Sequence, residues 1–208
     1  MSLKVPSLQR LISELSKLPG VGSKSAQRMA MSFLKFSKED IESLRQSLKD
    51  IKEKIKLCVD CYAYTEDDIC YFCSDHSRSK NLICVVESPG DIDRVESSGA
   101  FKGRYHVLHG AIAPLDGVGP EHLKINELFY RVEKLKLDGL RDLEIILALD
   151  ADLEGDTTAL YLSRELAKKN VQASKIAQGV PMGGDLDFVD QRTLGRALEN
   201  RIKYIRDL

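Results

Sequence analysis

Four of the five cysteines stand as two Cys-x-x-Cys pairs, Cys58/Cys61 and Cys70/Cys73, with eight residues between the pairs. A Cys-x-x-Cys turn brings two thiolates to bear on one ion, and two such turns complete a tetrahedral sulfur shell suited to Zn2+. The intervening segment, Val59 to Ile69, is polar and short, so a metal is expected to hold it together in place of a core of its own. Two other readings compete, a pair of disulfides and a thioredoxin-like redox motif. Disulfides need an oxidising compartment, and the opening Met1-Ser-Leu-Lys-Val-Pro6 carries no apolar export signal. A redox motif needs one pair, not two. The spacing therefore predicts a closed, structural zinc site. His76 is the only nearby substitute ligand, and four cysteines already fill the shell. Cys84, inside the apolar run Leu82–Val86, reads as a buried small hydrophobe.

No stretch approaches the ~18 consecutive apolar residues of a membrane span, so a cytoplasmic protein without membrane contact is expected. The formal net charge of −1 points to no partner, but its distribution does. Residues 1–60 hold 12 Lys and Arg against 7 Asp and Glu, and the remainder holds 19 against 25. A basic end on an acidic body suggests a polyanion-binding module beside a surface with another task.

Periodicity divides the chain into four parts, a multi-part α/β organisation. Residues 1–56 read as helices. Leu8, Leu11, Ile12, Leu15 and Leu18 recur at helical spacing behind Ser7 as N-cap; Pro19-Gly-Val-Gly22 breaks the pattern, and Ser23 is placed to cap a second helix. A third starts at Ser37, with Asp40 completing a capping box, and runs through Ile41, Leu44, Leu48, Ile51 and Ile55. Residues 57–78 are the zinc module. Residues 79–178 alternate: strands at Leu82–Val86, Tyr105–Leu108, Leu143–Leu149 and Ser174–Ala177, helices at Gly90–Ser97, Ile125–Lys136 and Gly155–Lys169. Such alternation predicts a mostly parallel sheet flanked by helices. Residues 179–208 begin with a Gly/Pro-rich turn and close on a helix near Thr193–Ile205. The turn lacks the Gly-Lys-Ser/Thr ending of a phosphate-binding loop and reads as structural.

Two constellations carry chemistry. The first is Leu18-Pro-Gly-Val-Gly-Ser-Lys-Ser-Ala26, with the form of a helix-hairpin-helix. Gly20 and Gly22 let the backbone approach a phosphate, and the second helix then offers its free N–H groups and positive dipole end. Lys24 and Arg28, four apart on one face, reach neighbouring phosphates without reading sequence. The second is Asp150-Ala-Asp152-Leu-Glu154 at the end of an apolar strand, with Glu87 and Asp91 at the end of another. Residues past strand ends gather in the ligand crevice of a parallel sheet. Carboxylates meeting there would repel unless a hard cation such as Mg2+ lay between them. Helix N-terminus preference accounts for Glu154 and Asp156 but not, on sequence grounds, for Asp150 and Asp152.

The order of these parts resembles the RecR family of bacterial recombination mediators over essentially the whole chain. The blocks that carry the resemblance are Leu18 to Arg28, the zinc cysteines, Leu108 to Pro120, Gly179 to Leu186 and Asp190 to Arg201. The α/β part looks like a Toprim domain. The resemblance implies a non-enzymatic, nucleoid-associated protein that assembles as a ring or clamp, usually a tetramer. It would act with RecO, and in some settings RecF, to load RecA at single-stranded gaps in DNA. It implies further that Lys24 and Arg28 contact DNA, that Glu87 and Asp91 face RecO, and that the N-terminal helices and C-terminal arm form the subunit contacts. One departure stands out: many RecR sequences carry an Asn-Pro-Thr-like stretch where this chain has Asp150-Ala-Asp152. That acidic pattern keeps a second reading open, a Mg2+-dependent Toprim nuclease.

Overall fold

Helix boundaries in the first sixty residues follow from which residue is free to leave helical geometry. In the computed structural model, which describes residues 5–202, the chain forms two units, one ending at Ile55 and one beginning at Lys56. In the first unit α1 spans Pro6–Leu15, α2 spans Ser23–Phe33 and α3 spans Lys38–Lys54. Ser7 is not the cap of α1. Pro6 takes the first helical position, where its preset φ and missing N–H cost nothing, and this moves the cap back to Val5. Likewise Gly22, not Ser23, caps α2, and Ser23 becomes its first helical residue. The Ser37/Asp40 capping box forms as expected: Asp40 N–H donates to Ser37 Oγ at 3.0 Å and Ser37 N–H to Asp40 Oδ2 at 3.3 Å. Ala26 and Ala30 are fully buried, and their small side chains let α2 pack closely on the α1 face that carries Leu8. The apolar stripe of α3 is not buried: Ile41, Leu44, Leu48 and Ile51 all remain exposed.

The second unit is built on a four-stranded, all-parallel sheet. Strand β1 (Lys56–Leu57) pairs antiparallel with β2 (Tyr64–Thr65) in the zinc module, followed by α4 (Tyr71–Ser74). The sheet strands are β3 (Leu82–Val86), β4 (Arg104–Val107), β5 (Glu144–Ala148) and β6 (Gln172–Lys175), in the order β4-β3-β5-β6. Helices α5 (Pro89–Ser97), α6 (Ile125–Leu137) and α7 (Leu153–Lys168) connect them. The last strand lies two residues earlier than expected. It is a half-exposed edge strand whose extent is set by its ladder to β5, a constraint that its polar sequence does not display.

Alternation along the strands sorts the core onto two faces. Ile83, Val85, Ile145 and Leu147 point to the side covered by α6 and α7, where Leu128, Val132, Leu162 and Leu166 complete a dry cluster. Cys84, Val86, Tyr105 and Val107 point to the other side, and there they pack with Ile92 of α5 and with all four zinc-module cysteines. The zinc module therefore has no separate core: it shares one with the sheet. Helix α8 (Gln191–Glu199) closes the described chain, capped by Asp190, whose Oδ1 accepts from the N–H groups of Arg192 and Thr193 at 3.0 Å each. The helix starts two residues earlier than expected and ends at Glu199, with Asn200 as its C-cap and Arg201 and Ile202 outside it. It is therefore shorter than the expected run to Ile205, whose last residues lie outside the described ones. Among those residues, no helix is long and apolar enough to cross a membrane.

Candidate metal centre, hairpin and acidic crevice

The first Cys-x-x-Cys pair sits on a tight knuckle. Tyr62 takes positive φ (63°), its N–H donates to Cys58 O at 3.0 Å, and Cys58 N–H donates to Ala63 O at 2.8 Å. The second pair opens α4, with Cys70 at the N-cap and its N–H donating to Cys58 Sγ at 3.3 Å. All four sulfurs lie within 4.8 Å of one another and all four residues are buried. Cys61 and Cys70 Sγ stand 3.4 Å apart, and none of the five cysteines is joined in a disulfide. A tetrahedron of ~2.3 Å Zn–S bonds has sulfur–sulfur edges of roughly 3.8 Å, so the four residues fit that ion. Hydrogen bonding among the thiols pulls Cys58 well below the ordinary thiol range and pushes Cys61 well above it. Only a cation lets all four ionise together. Cys84 takes no part in this set; burial holds its thiol up at about 12 and it packs as a hydrophobe.

Backbone and ionic contacts lock the knuckles to the sheet. Val107 N–H donates to Cys61 O at 2.8 Å. Arg78, nearly buried, donates to Glu96 of α5 at 2.6 and 2.8 Å and to Gly103 O at 3.0 Å, and its guanidinium lies 5.0 Å from the Phe72 ring centre. Sequence reading missed Arg78, since only the fold brings residues 78, 96 and 103 together.

In the first unit, Leu18 to Gly22 form the hairpin between α1 and α2. Gly20 adopts φ of 75°, a conformation that favours glycine, and Val21 N–H donates to Leu18 O at 3.1 Å. Gly22 has an ordinary extended backbone (φ −75°), and a Cβ built on it would meet nothing within 4 Å. It provides no side-chain cap, so the first N–H groups of α2 face outward unpaired by a cap. Lys24 and Arg28 are both exposed, one helical turn apart.

The carboxylates gather at the carboxyl ends of β3 and β5, where the sheet order reverses direction. Glu87 Oε1 accepts the Asp150 N–H at 2.9 Å, which fixes the two strand ends across the crevice. Burial first, and then the charges of Asp150, Asp152 and Asp91, push the Glu87 carboxyl above its ordinary 4.5, against the opposing pull of that N–H. A cavity of about 450 Å3 opens here, lined by Glu87, Asp91, Arg94, His109 and Asp150. Gly155 is obligatory behind Asp150 and Glu87: a Cβ there would stand 2.2 Å from Asp150 O and 3.1 Å from Glu87 Oε1.

Two of the five carboxylates have structural work that the sequence did not reveal. Asp152 caps α7, accepting Gly155 N–H at 2.8 Å, so helix capping explains it after all. Asp91 closes the capping box of α5, accepting Ser88 N–H and Oγ–H at 2.8 Å each. Asp156, expected only to favour a helix start, instead pairs with Lys175 of β6 and Arg196 of α8. Among the described residues, the cysteines are the one set of three or more potential ligands that converges within 4.8 Å; the carboxylates do not. His109 lines the crevice with Nε2 donating to Tyr62 O at 2.7 Å. His106 is a core residue: its Nε2 donates to Lys124 O at 2.7 Å, and burial lowers its imidazole to about 3.

Comparison with known proteins finds family patterns over three stretches of the chain, on either side of the cysteine module. The Toprim domain pattern matches residues 81–177, the RecR helix-hairpin-helix pattern residues 8–52 and the RecR C-terminal pattern residues 179–202. The recombination protein RecR of Bdellovibrio bacteriovorus is 55% identical over 202 residues, covering 97% of this chain and 99% of that protein. Those of Myxococcus xanthus and Desulfatibacillum aliphaticivorans are 46% and 45% identical, covering 93% and 97% of this chain and 96% and 98% of theirs.

Proposed function

The chain belongs to the RecR family of recombination proteins, and from that premise we propose that it is a non-enzymatic, DNA-binding mediator of recombinational repair. The observation that carries the reading is the hairpin. Gly22 is glycine where neither φ nor packing requires one, as expected where a phosphate must approach the backbone, and the exposed Lys24 and Arg28 flank the open N-terminus of α2. Gly20 shapes the turn that presents them. Zn2+ held by Cys58, Cys61, Cys70 and Cys73 supplies a rigid, closed cross-link and no chemistry.

In this reading the four parts have separate tasks: DNA contact at 1–56, metal at 57–78, the Toprim body at 79–178 and assembly through 179–208. Subunits join through the exposed stripe of α3 and through the arm, where Met182, Leu186 and Phe188 are exposed, to make a ring or clamp, a tetramer in the simplest case. The acidic crevice, with Glu87 and Asp91 at its rim, faces a basic partner, RecO, and the assembly loads RecA at single-stranded gaps, with RecF in some settings. A cation such as Mg2+ at Asp150, Asp152 and Glu154 is the basis of the competing nuclease reading, favoured by the raised proton affinity of Glu87, which burial imposes first and the neighbouring carboxylates add to.

One experiment separates them. A labelled gapped duplex is incubated with the protein, with and without Mg2+, and run on native and denaturing gels. Wild type should shift the DNA and leave it intact, and Lys24→Glu/Arg28→Glu should abolish the shift while keeping zinc content and assembly. Unchanged binding by that variant sinks the hairpin assignment. Mg2+-dependent fragments that vanish in Asp150→Asn would replace the mediator with a nuclease.

A further inference from the structure

We propose that the amino-terminal edge of the parallel sheet is a second surface for the nucleic-acid backbone, independent of the hairpin; the inference rests on the reading that this protein binds DNA. Every strand of a parallel sheet enters from the same edge, so the residues leading into β4, β3, β5 and β6 line up there in that order. They include Lys102 before β4, Lys80 before β3 and Arg141 before β5. Helix α6 runs back antiparallel to the strands and ends at the same edge with Lys134 and Lys136. Lys136 Nζ reaches across to Lys169 O, just ahead of β6, at 2.5 Å.

Backbone bonds stitch these lead-in segments into one ledge. Ser79 N–H donates to Lys102 O at 2.9 Å, Asn81 Nδ2 to Arg141 O at 3.0 Å and Glu144 N–H to Asn81 O at 2.8 Å. Lys80, Lys102, Lys134, Lys136 and Arg141 are exposed and form no ion pair among the described residues. The nearby acids are partly spoken for: Glu133 pairs with Lys169, Glu165 with Lys168, and Glu144 accepts from Ser174 Oγ. Glu96, which also feels the charge of Lys102, is paired with Arg78, and Asp138 and Asp142 add further negative charge. The opposite edge of the sheet carries the carboxylate crevice. The body is thus polarised, acidic where α/β ligands gather and cationic at the other end.

The ledge crosses three interstrand spacings of ~4.8 Å, roughly 14 Å in all, about four steps of ~3.4 Å along one strand of a duplex. Flexible lysines on a backbone-fixed edge offer no bidentate fork for a base, so such a surface holds phosphates and is indifferent to sequence.

The test uses the full chain and a fluorescein-labelled duplex, with anisotropy titrations across a salt series. In Lys80→Gln/Lys102→Gln/Lys134→Gln/Arg141→Gln the log–log salt slope should become shallower by about 3 to 4, since each neutralised phosphate contributes ~0.9, with zinc content unchanged. A charge-preserving set (Lys→Arg at the three lysines, Arg141→Lys) should restore the wild-type slope and so separates charge from folding. A wild-type slope in the glutamine variant overturns the inference, and so does a charge-preserving set that fails to restore it. Lys24→Glu/Arg28→Glu is titrated alongside. Lost affinity there with an unaffected glutamine variant leaves the mediator reading standing without the second surface. A wild-type protein that does not bind the duplex defeats both.

Discussion

Glu87 shows what an acidic crevice costs the fold. Its carboxyl is half-buried, and burial with three neighbouring carboxylates raises its folded pKa above the ordinary 4.5. Between those two values the native state binds more protons than the unfolded chain, so stability falls as pH rises through that window. The penalty is absent below the ordinary value and fully present above the raised folded value. Glu87→Gln keeps an oxygen for the Asp150 N–H while removing the charge. It is expected to raise Tm at pH 7 to 8, with the gain over wild type vanishing as the titration is taken below about pH 4. A gain that persists at low pH would mean that packing, not charge, sets the difference. Asp91 and Asp152 illustrate why such sites are only half legible in sequence. A carboxylate near a helix start looks the same whether it binds a cation or caps the helix, and only their hydrogen bonds to Ser88 and Gly155 show the second role.

At the scale of elements, one hydroxyl ties the loop after β4 to α7. Ile112 N–H is buried and donates to Thr158 Oγ1 of α7 at 2.8 Å, and that hydroxyl donates to Glu154 O at 2.7 Å. Thr158 itself is fully buried. Thr158→Val preserves shape but leaves a buried N–H unpaired, a loss of about 1–3 kcal/mol, or a Tm lower by roughly 2–4 °C per kcal/mol for a chain of this size. Thr158→Ser should recover most of it. A valine variant as stable as wild type would show that the loop finds another acceptor. Elements with a full burial pattern are legible in the sequence: β3, β4, β5, α5 and α6 fall within one residue of their expected places. Those that depend on partners are not. The two-residue strands β1 and β2 exist through each other, α4 through its cysteine cap, and the bounds of β6 through its ladder to β5.

At the scale of the molecule, the metal joins two pieces of one core. The sequence predicts a module held together by its metal, because Val59 to Ile69 is too polar and too short for a core of its own. The structure instead buries the cysteines against Cys84, Val86, Tyr105, Val107 and Ile92, and clamps the far side through Arg78 and Glu96. Structural zinc contributes an apparent ~10 kcal/mol or more in isolated fingers, comparable with the ~5–15 kcal/mol that holds a whole domain. Removing the metal should therefore loosen more than the knuckles. After treatment with a strong chelator, amide hydrogen exchange is expected to accelerate in residues 57–78 and also in α5 and β4, which face the same cluster. Helices α6 and α7 line the opposite face, around Leu128 and Leu162, and should keep more of their protection. The helical unit ending at Ile55 holds no part of either cluster and should be unaffected. Acceleration confined to 57–78 would refute the shared core and restore the metal to a purely local role. Spread into β4 and α5 would instead make zinc loss a route to disabling the acidic crevice, because α5 carries Asp91 and begins two residues after Glu87.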